Sequence, residues 1–185
     1  TSGRAYLFAN AAFFKARSVD SSNTKWQHDL SISFIKLGDT QQARGDFNGA
    51  LRHYIAAREI RQQLITDNPM NSEWEFDLGT VWDKLGDIQR VLGDYLGALS
   101  SYSLSKDIAE RLTSEYPNRL DWLRNLAVSW GKLGDARRDQ GDLAGTLQAY
   151  TTATGILDHI EMSPAVRQLG TVSRSGIKQM NIDER

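Results

Sequence analysis

The sequence predicts an all-α fold, a stack of antiparallel helix pairs, and three observations predict it. The chain repeats itself at an offset of 48 residues. Inside each repeat the apolar residues advance in steps of three and four, the period of a helix. A period-two pattern fails throughout, so strand signals are essentially absent.

The repeat is dense. Trp26, Trp74 and Trp122 share one phase, as do the three copies of Lys-Leu-Gly-Asp that begin at Lys36, Lys84 and Lys132. Gly45-Asp46, Gly93-Asp94 and Gly141-Asp142 follow, then Leu51, Leu99 and Leu147, then Tyr54, Tyr102 and Tyr150, then Ile60, Ile108 and Ile156. Carried backwards, the phase lands on Tyr6, so residues 1–20 read as the second helix of an earlier repeat whose first half is absent. Complete repeats then occupy 21–68, 69–116 and 117–163. Beyond Ile160 the phase fails: Ala165 stands where proline is expected and Gly170 where Trp is expected. Val166, Leu169, Ser173, Ile177 and Met180 nonetheless keep helical spacing, with Arg167, Arg174 and Lys178 off that face, which predicts an amphipathic capping helix over 164–185. The whole of 1–185 is expected to form a single domain.

Each complete repeat reads as two helices. Asn68-Pro69 and Tyr116-Pro117 break the chain, and a helix A begins just beyond each. In the second copy Trp74, Leu78, Val81, Trp82, Leu85, Ile88 and Leu92 form its stripe, and Gly93 ends it. Asp94 occupies an N-cap position, where a carboxylate accepts the orphan amides of helix B. Helix B carries Leu99, Tyr102, Ile108 and Leu112 and stops before Pro117. Helices of about 20 residues are about 30 Å long. Gly38, Gly86 and Gly134 lie inside helix A, where glycine costs roughly 1 kcal/mol relative to alanine. Three copies at one phase predict that another helix packs there too closely to admit a Cβ.

Composition narrows the function. The 185 residues carry 22 Lys+Arg against 23 Asp+Glu, a balance that lacks the basic surface nucleic-acid binding needs. With no cysteine, thiolate chemistry, disulfides and cysteine-ligated metals are excluded. The most apolar stretch, residues 5–14, is far shorter than the roughly 20 residues a bilayer demands. With Arg4 in front it faintly resembles a secretory signal, a reading outweighed by the repeat phase. The chain opens on Thr1 and reads as part of a larger protein.

These residues resemble the tetratricopeptide repeat. The pattern of a small residue in mid helix A, a glycine turn, then Ala, aromatic and small residues in helix B reads Gly38, Gly45, Phe47, Ala50, Tyr54 and Ala57 in the first copy. The second is Gly86, Gly93, Tyr95, Ala98, Tyr102 and Ser105, and the third Gly134, Gly141, Leu143, Thr146, Tyr150 and Ala153. The unit is longer than the usual 34 residues, as in long-helix bacterial arrays that carry a Trp and a Lys-Leu-Gly-Asp signature. The resemblance implies a right-handed superhelical solenoid whose helices A line a concave groove for a peptide or partner protein. It does not supply the partner, because one such scaffold hosts many ligands.

Catalytic motifs are absent: there is no phosphate-binding glycine loop, no His-Glu-x-x-His, no Gly-x-Ser-x-Gly and no EF-hand loop. His28, His53 and His159 fall at unrelated phases and read as surface or half-buried side chains, not as a metal site. Asp39, Asp87 and Asp135 form one acid per helix A. They read as structural, paired with Lys36, Lys84 and Lys132 on their own helices or bonded to a neighbouring helix. A catalytic or metal-binding row is the competing reading. The Trp residues, together with Phe34, Trp82 and Trp130, share phases and read as packing rather than as a ligand cage.

Groove-reading positions are expected to differ between copies, and those flanking the glycine do. Ile35, Asp83, Gln42, Arg90 and Arg138 are therefore the candidate groove residues, with the arginines suited to bidentate recognition of carboxylates. The tetratricopeptide clamp for a C-terminal carboxylate uses Asn where Asp39 and Asp87 stand. Phe8, Phe13 and Phe14 do not repeat, and they predict a surplus apolar face on the first helix, a contact for an upstream repeat or for a second copy of the chain. The expectation is thus a non-catalytic, cytoplasmic protein–protein interaction scaffold that uses no cofactor or metal. The alternatives are an oligomerisation module and, further off, an enzyme built on the Asp row.

Overall fold

A computed structural model describes residues 23–163. The expected first helix, with Phe8, Phe13 and Phe14, and the expected capping helix lie outside the described residues. Within them are six helices: α1 (Thr24–Ala43), α2 (Phe47–Asp67), α3 (Ser72–Val91), α4 (Tyr95–Glu115), α5 (Leu120–Asp139) and α6 (Leu143–Met162). No strand occurs among the described residues. The chain divides into two compact units, Thr1–Ile108 and Ala109–Arg185, with α4 running across the division.

In the first unit α1 and α2 pair antiparallel: Gly38 faces Tyr54 near the turn, and Ser31 meets Arg61 two turns further along. α3 lies antiparallel on α2, with the Arg58 guanidinium 5.3 Å from the Trp82 ring and Lys84 5.6 Å from the Tyr54 ring. Phe34, Ala50, Tyr54, Ala57, Ile60, Leu64, Val81, Leu85 and Ile88 form the core, with Trp74 and Trp82 packed against it. Removing this apolar surface from water, at about 25 cal/mol per Å², is what holds the helices together. In the second unit α5 and α6 pair in the same sense, burying Trp122, Leu126, Leu133, Ala149 and Ala153. Tyr116 meets the Trp122 ring edge-on at 5.3 Å, and Arg119 stacks 4.0 Å over it. Trp26, by contrast, is exposed in the first turn of α1.

The turns inside the pairs are alike. Gly45, Gly93 and Gly141 have φ of 78°, 82° and 81°, the left-handed conformation that ends a helix cheaply only at glycine. The following aspartate amide then returns to the carbonyl five residues back, Asp46 to Gln41 at 2.9 Å, Asp94 to Gln89 at 2.8 Å and Asp142 to Arg137 at 3.0 Å. The same aspartates cap the next helix, accepting from the amides of Gly49, Gly97 and Gly145 at 2.8–2.9 Å. One residue thus closes one helix and opens another. At the other ends, Asn23 and Asn71 cap α1 and α3, whereas Arg119 gives α5 no side-chain cap.

Candidate functional site

The repeated glycines of helix A are where the partner helix comes closest. A Cβ on Gly38 would lie 2.5 Å from the Tyr54 ring, on Gly86 2.5 Å from Tyr102 and on Gly134 2.7 Å from Tyr150. The aspartate one residue on then receives the tyrosine hydroxyl: Tyr54 donates to Asp39 at 2.6 Å, Tyr102 to Asp87 at 2.8 Å and Tyr150 to Asp135 at 2.5 Å. Glycine, aspartate and tyrosine form one lock, made three times.

Asp39 does not rely on its own helix for a cation. Lys84, from the next helix A, donates to it at 2.7 Å. Burial opposes ionisation of Asp39, but the hydrogen bonds from Lys84 and Tyr54 and the lysine charge outweigh it and hold the carboxyl below its ordinary value. The tyrosines move the other way. Burial first, then the hydrogen bond and charge of the aspartate, push the Tyr54 hydroxyl well above its usual range, and burial and the Asp87 charge do the same to Tyr102. One oxygen of the Asp39 carboxylate thus accepts from both the paired helix and the next helix A.

Four of the five candidate groove residues lie in the first unit. Gln42 joins the lock, its Oε1 2.9 Å from the Tyr54 hydroxyl. Ile35 is half-buried and packs on the core. Asp83 is only 5% exposed, and its charge raises the Tyr102 pKa while that of half-buried Arg90 lowers it. In the second unit Arg138 donates to the Tyr150 hydroxyl at 3.0 Å and pairs with Asp135 at 3.0 Å, yet its side chain stays 51% exposed. Of the positions flanking the glycine, Gln42 and Arg138 therefore touch the lock, whereas Asp83 is buried and Ile35 packs on the core.

A second polar cluster had no repeated motif to announce it. Arg61 is 4% exposed, donates to Ser31 at 3.2 Å and to the carbonyl of Asp77, and has its guanidinium 3.6 Å from the Asp77 carboxylate. Burial lowers its pKa, opposed by the Asp77 charge. His28 completes the cluster, 3.0 Å from Asp77 and stacked on Trp74 at 6.3 Å. The available signal was an arginine at a helix-B phase where the other copies carry Ala109 and Leu157. His53 sits apart, bonded to Gln41 at 2.6 Å and to the Gly49 carbonyl at 3.0 Å.

Among the described residues no group of three or more His, Asp and Glu side chains is placed to hold a metal ion. No described helix is long and apolar enough to cross a membrane. An open pocket of about 380 Å³ lies between α2 and α3, lined by Arg58, Glu59, Gln62, Gln63, Thr66 and Trp82.

No protein-family profile matches the chain, and no curated protein matches it. Solved structures similar to it include one titled "Crystal structure of MamA", 13% identical, covering 66% of this chain and 95% of that one at a TM-score of 0.19. Another, titled "Crystal structure of MamA protein", is 14% identical and covers 70% and 93% at a TM-score of 0.18. Superpositions of that quality carry nothing about function to this chain.

Proposed function

We propose that this chain is a tetratricopeptide-like interaction scaffold, non-catalytic and cytoplasmic, that holds a peptide or partner protein against its helix-A faces as part of a larger protein. The observation that carries this reading is the fate of the acid row. Asp39, Asp87 and Asp135 each receive a tyrosine hydroxyl from the paired helix, so the most regular polar feature of the sequence is engaged in packing. What remains variable at the same faces is Ile35 and Asp83, then Gln42, Arg90 and Arg138. Variation against a fixed scaffold is how one fold reads different ligands.

The test is an affinity pull-down from native lysate, comparing the chain with an Arg90→Glu/Arg138→Glu variant whose helicity is verified by circular dichroism. Because a glutamate in place of Arg138 would face Asp135, an Arg90→Gln/Arg138→Gln variant runs in parallel. A specific partner retained by the wild type and lost by both folded variants supports the groove. Identical retention by all three places binding elsewhere and removes the assignment of Arg90 and Arg138.

A further inference from the structure

We propose that Asn48 is a site of spontaneous deamidation, gated by the Asp46 cap, whose isoaspartyl product breaks the first turn of α2.

The site comes from one constraint and one free choice. Gly49, Gly97 and Gly145 recur because a Cβ at each would run into the carboxylate that caps its helix, Asp46, Asp94 or Asp142. At Gly49 the Gln41 side chain closes in as well, to 2.7 Å from the Cβ position. Each copy must therefore carry glycine three residues after its cap. The residue in front of that glycine is exposed and varies: Asn48, Leu96 and Ala144. Only the first copy thus makes an Asn-Gly pair, the one such pair in the chain. With no side chain to shield it, a glycine amide is the least hindered nucleophile an asparagine can meet.

The reaction needs only water. The Gly49 amide gives its proton to solvent, and its nitrogen attacks the Asn48 Cγ. The new C–N bond closes a cyclic imide, the Cγ–Nδ2 bond breaks, and ammonia leaves. Water then opens the imide at either carbonyl. Opening at Cγ leaves aspartate on an unchanged backbone. Opening at the main-chain carbonyl leaves isoaspartate, with the chain routed through the former side chain.

The folded geometry holds this back. The Gly49 amide donates to the Asp46 Oδ1 at 2.8 Å, and Gly49 is buried. Its carbonyl is also engaged, 3.0 Å from the His53 Nδ1. Deprotonating an amide against a carboxylate sets two negative charges at hydrogen-bond distance, which is unfavourable. Conversion therefore waits on local opening of the first turn of α2, and Asp46 controls that opening.

The two products differ in consequence. Aspartate at position 48 lies in the first turn of α2, where the helix dipole favours a negative charge. Isoaspartate lengthens the backbone ahead of Gly49 and moves its amide off the Asp46 carboxylate. The Ala50 amide, which bonds the Asp46 carbonyl at 2.9 Å, moves with it. The cap is then lost at the turn that joins α1 to α2.

The test holds the full chain at mildly alkaline pH and follows the amide-to-acid mass gain at Asn48 by peptide-resolved mass spectrometry. A synthetic peptide of residues 44–52 supplies the unprotected rate. The wild type should react at least about tenfold more slowly than the peptide. Asp46→Ala should react about fivefold faster than the wild type, the rise in open population that loss of a cap gives. Asp94→Ala, which removes the in-phase cap one repeat on, should leave the rate at Asn48 unchanged. Aged wild type should melt below fresh wild type, whereas Asn48→Gln, whose longer side chain does not close the same ring, should not change on ageing. Asn48→Asp should melt like the fresh wild type, which assigns the loss to isoaspartate. Equal rates in wild type and Asp46→Ala, or equal acceleration by Asp94→Ala, overturn the gate. No conversion in Asp46→Ala overturns the site. Converted wild type that melts like the fresh chain overturns the broken turn.

Discussion

Glycine, aspartate and tyrosine are separately ordinary in a helical protein, and the lock they form depends on their order. Gly86 lets the Tyr102 ring reach the backbone of α3, and that approach brings the hydroxyl to Asp87. Gly86→Ala puts a methyl group into the ring, and overpacking of this kind costs about 1–3 kcal/mol. Urea unfolding should register it as a lower midpoint with an unchanged m-value. Tyr54→Phe keeps the packing and removes a hydrogen bond to a carboxylate, a loss of about 1–2 kcal/mol. It also removes one of the donors that depress Asp39, so the Asp39 pKa should rise in an NMR titration of the variant.

At the scale of the element, the turns within the pairs do most to set the geometry. Asp94 returns to Gln89 through its amide and caps α4 through its carboxylate. Asp94→Ala keeps the first bond and loses the second, which costs about 1 kcal/mol. Gly93→Ala leaves every contact intact but holds a Cβ at φ +82°, with a penalty of about 1–2 kcal/mol. Thermal melts of the two variants should therefore fall by similar amounts for different reasons. The double variant should be close to additive only if the turn keeps its shape.

For the whole molecule, the shifted groups predict its pH limits. Tyr54 and Tyr102 have folded pKa values raised above their unfolded ones. Their contribution is fully present below about pH 10 and is lost as the pH rises towards the folded values. Asp39 has a lowered folded pKa, so its contribution is present above about pH 4 and is lost as the pH falls through the folded value. Chemical denaturation across pH should show a plateau with both edges declining, and Tyr54→Phe/Tyr102→Phe should flatten the alkaline edge. A variant whose alkaline edge matches the wild type would remove the tyrosines as its cause.

The helices, their breaks and their pairing were legible in the amino-acid order, because a 3.6-residue stripe and a glycine-aspartate turn act over a few residues and declare themselves locally. The close approach at Gly38, Gly86 and Gly134 was signalled too, since three glycines at one phase inside helices need a cause. The constant fifteen-residue step from aspartate to tyrosine was there to be read as well, but only packing shows that a hydroxyl ends at a carboxylate. It took the packed chain to establish that Asp39 draws its lysine from the next helix A and that Arg61 is buried against Asp77. These depend on the distance between side chains far apart in the chain, and a one-dimensional pattern carries periods and not distances.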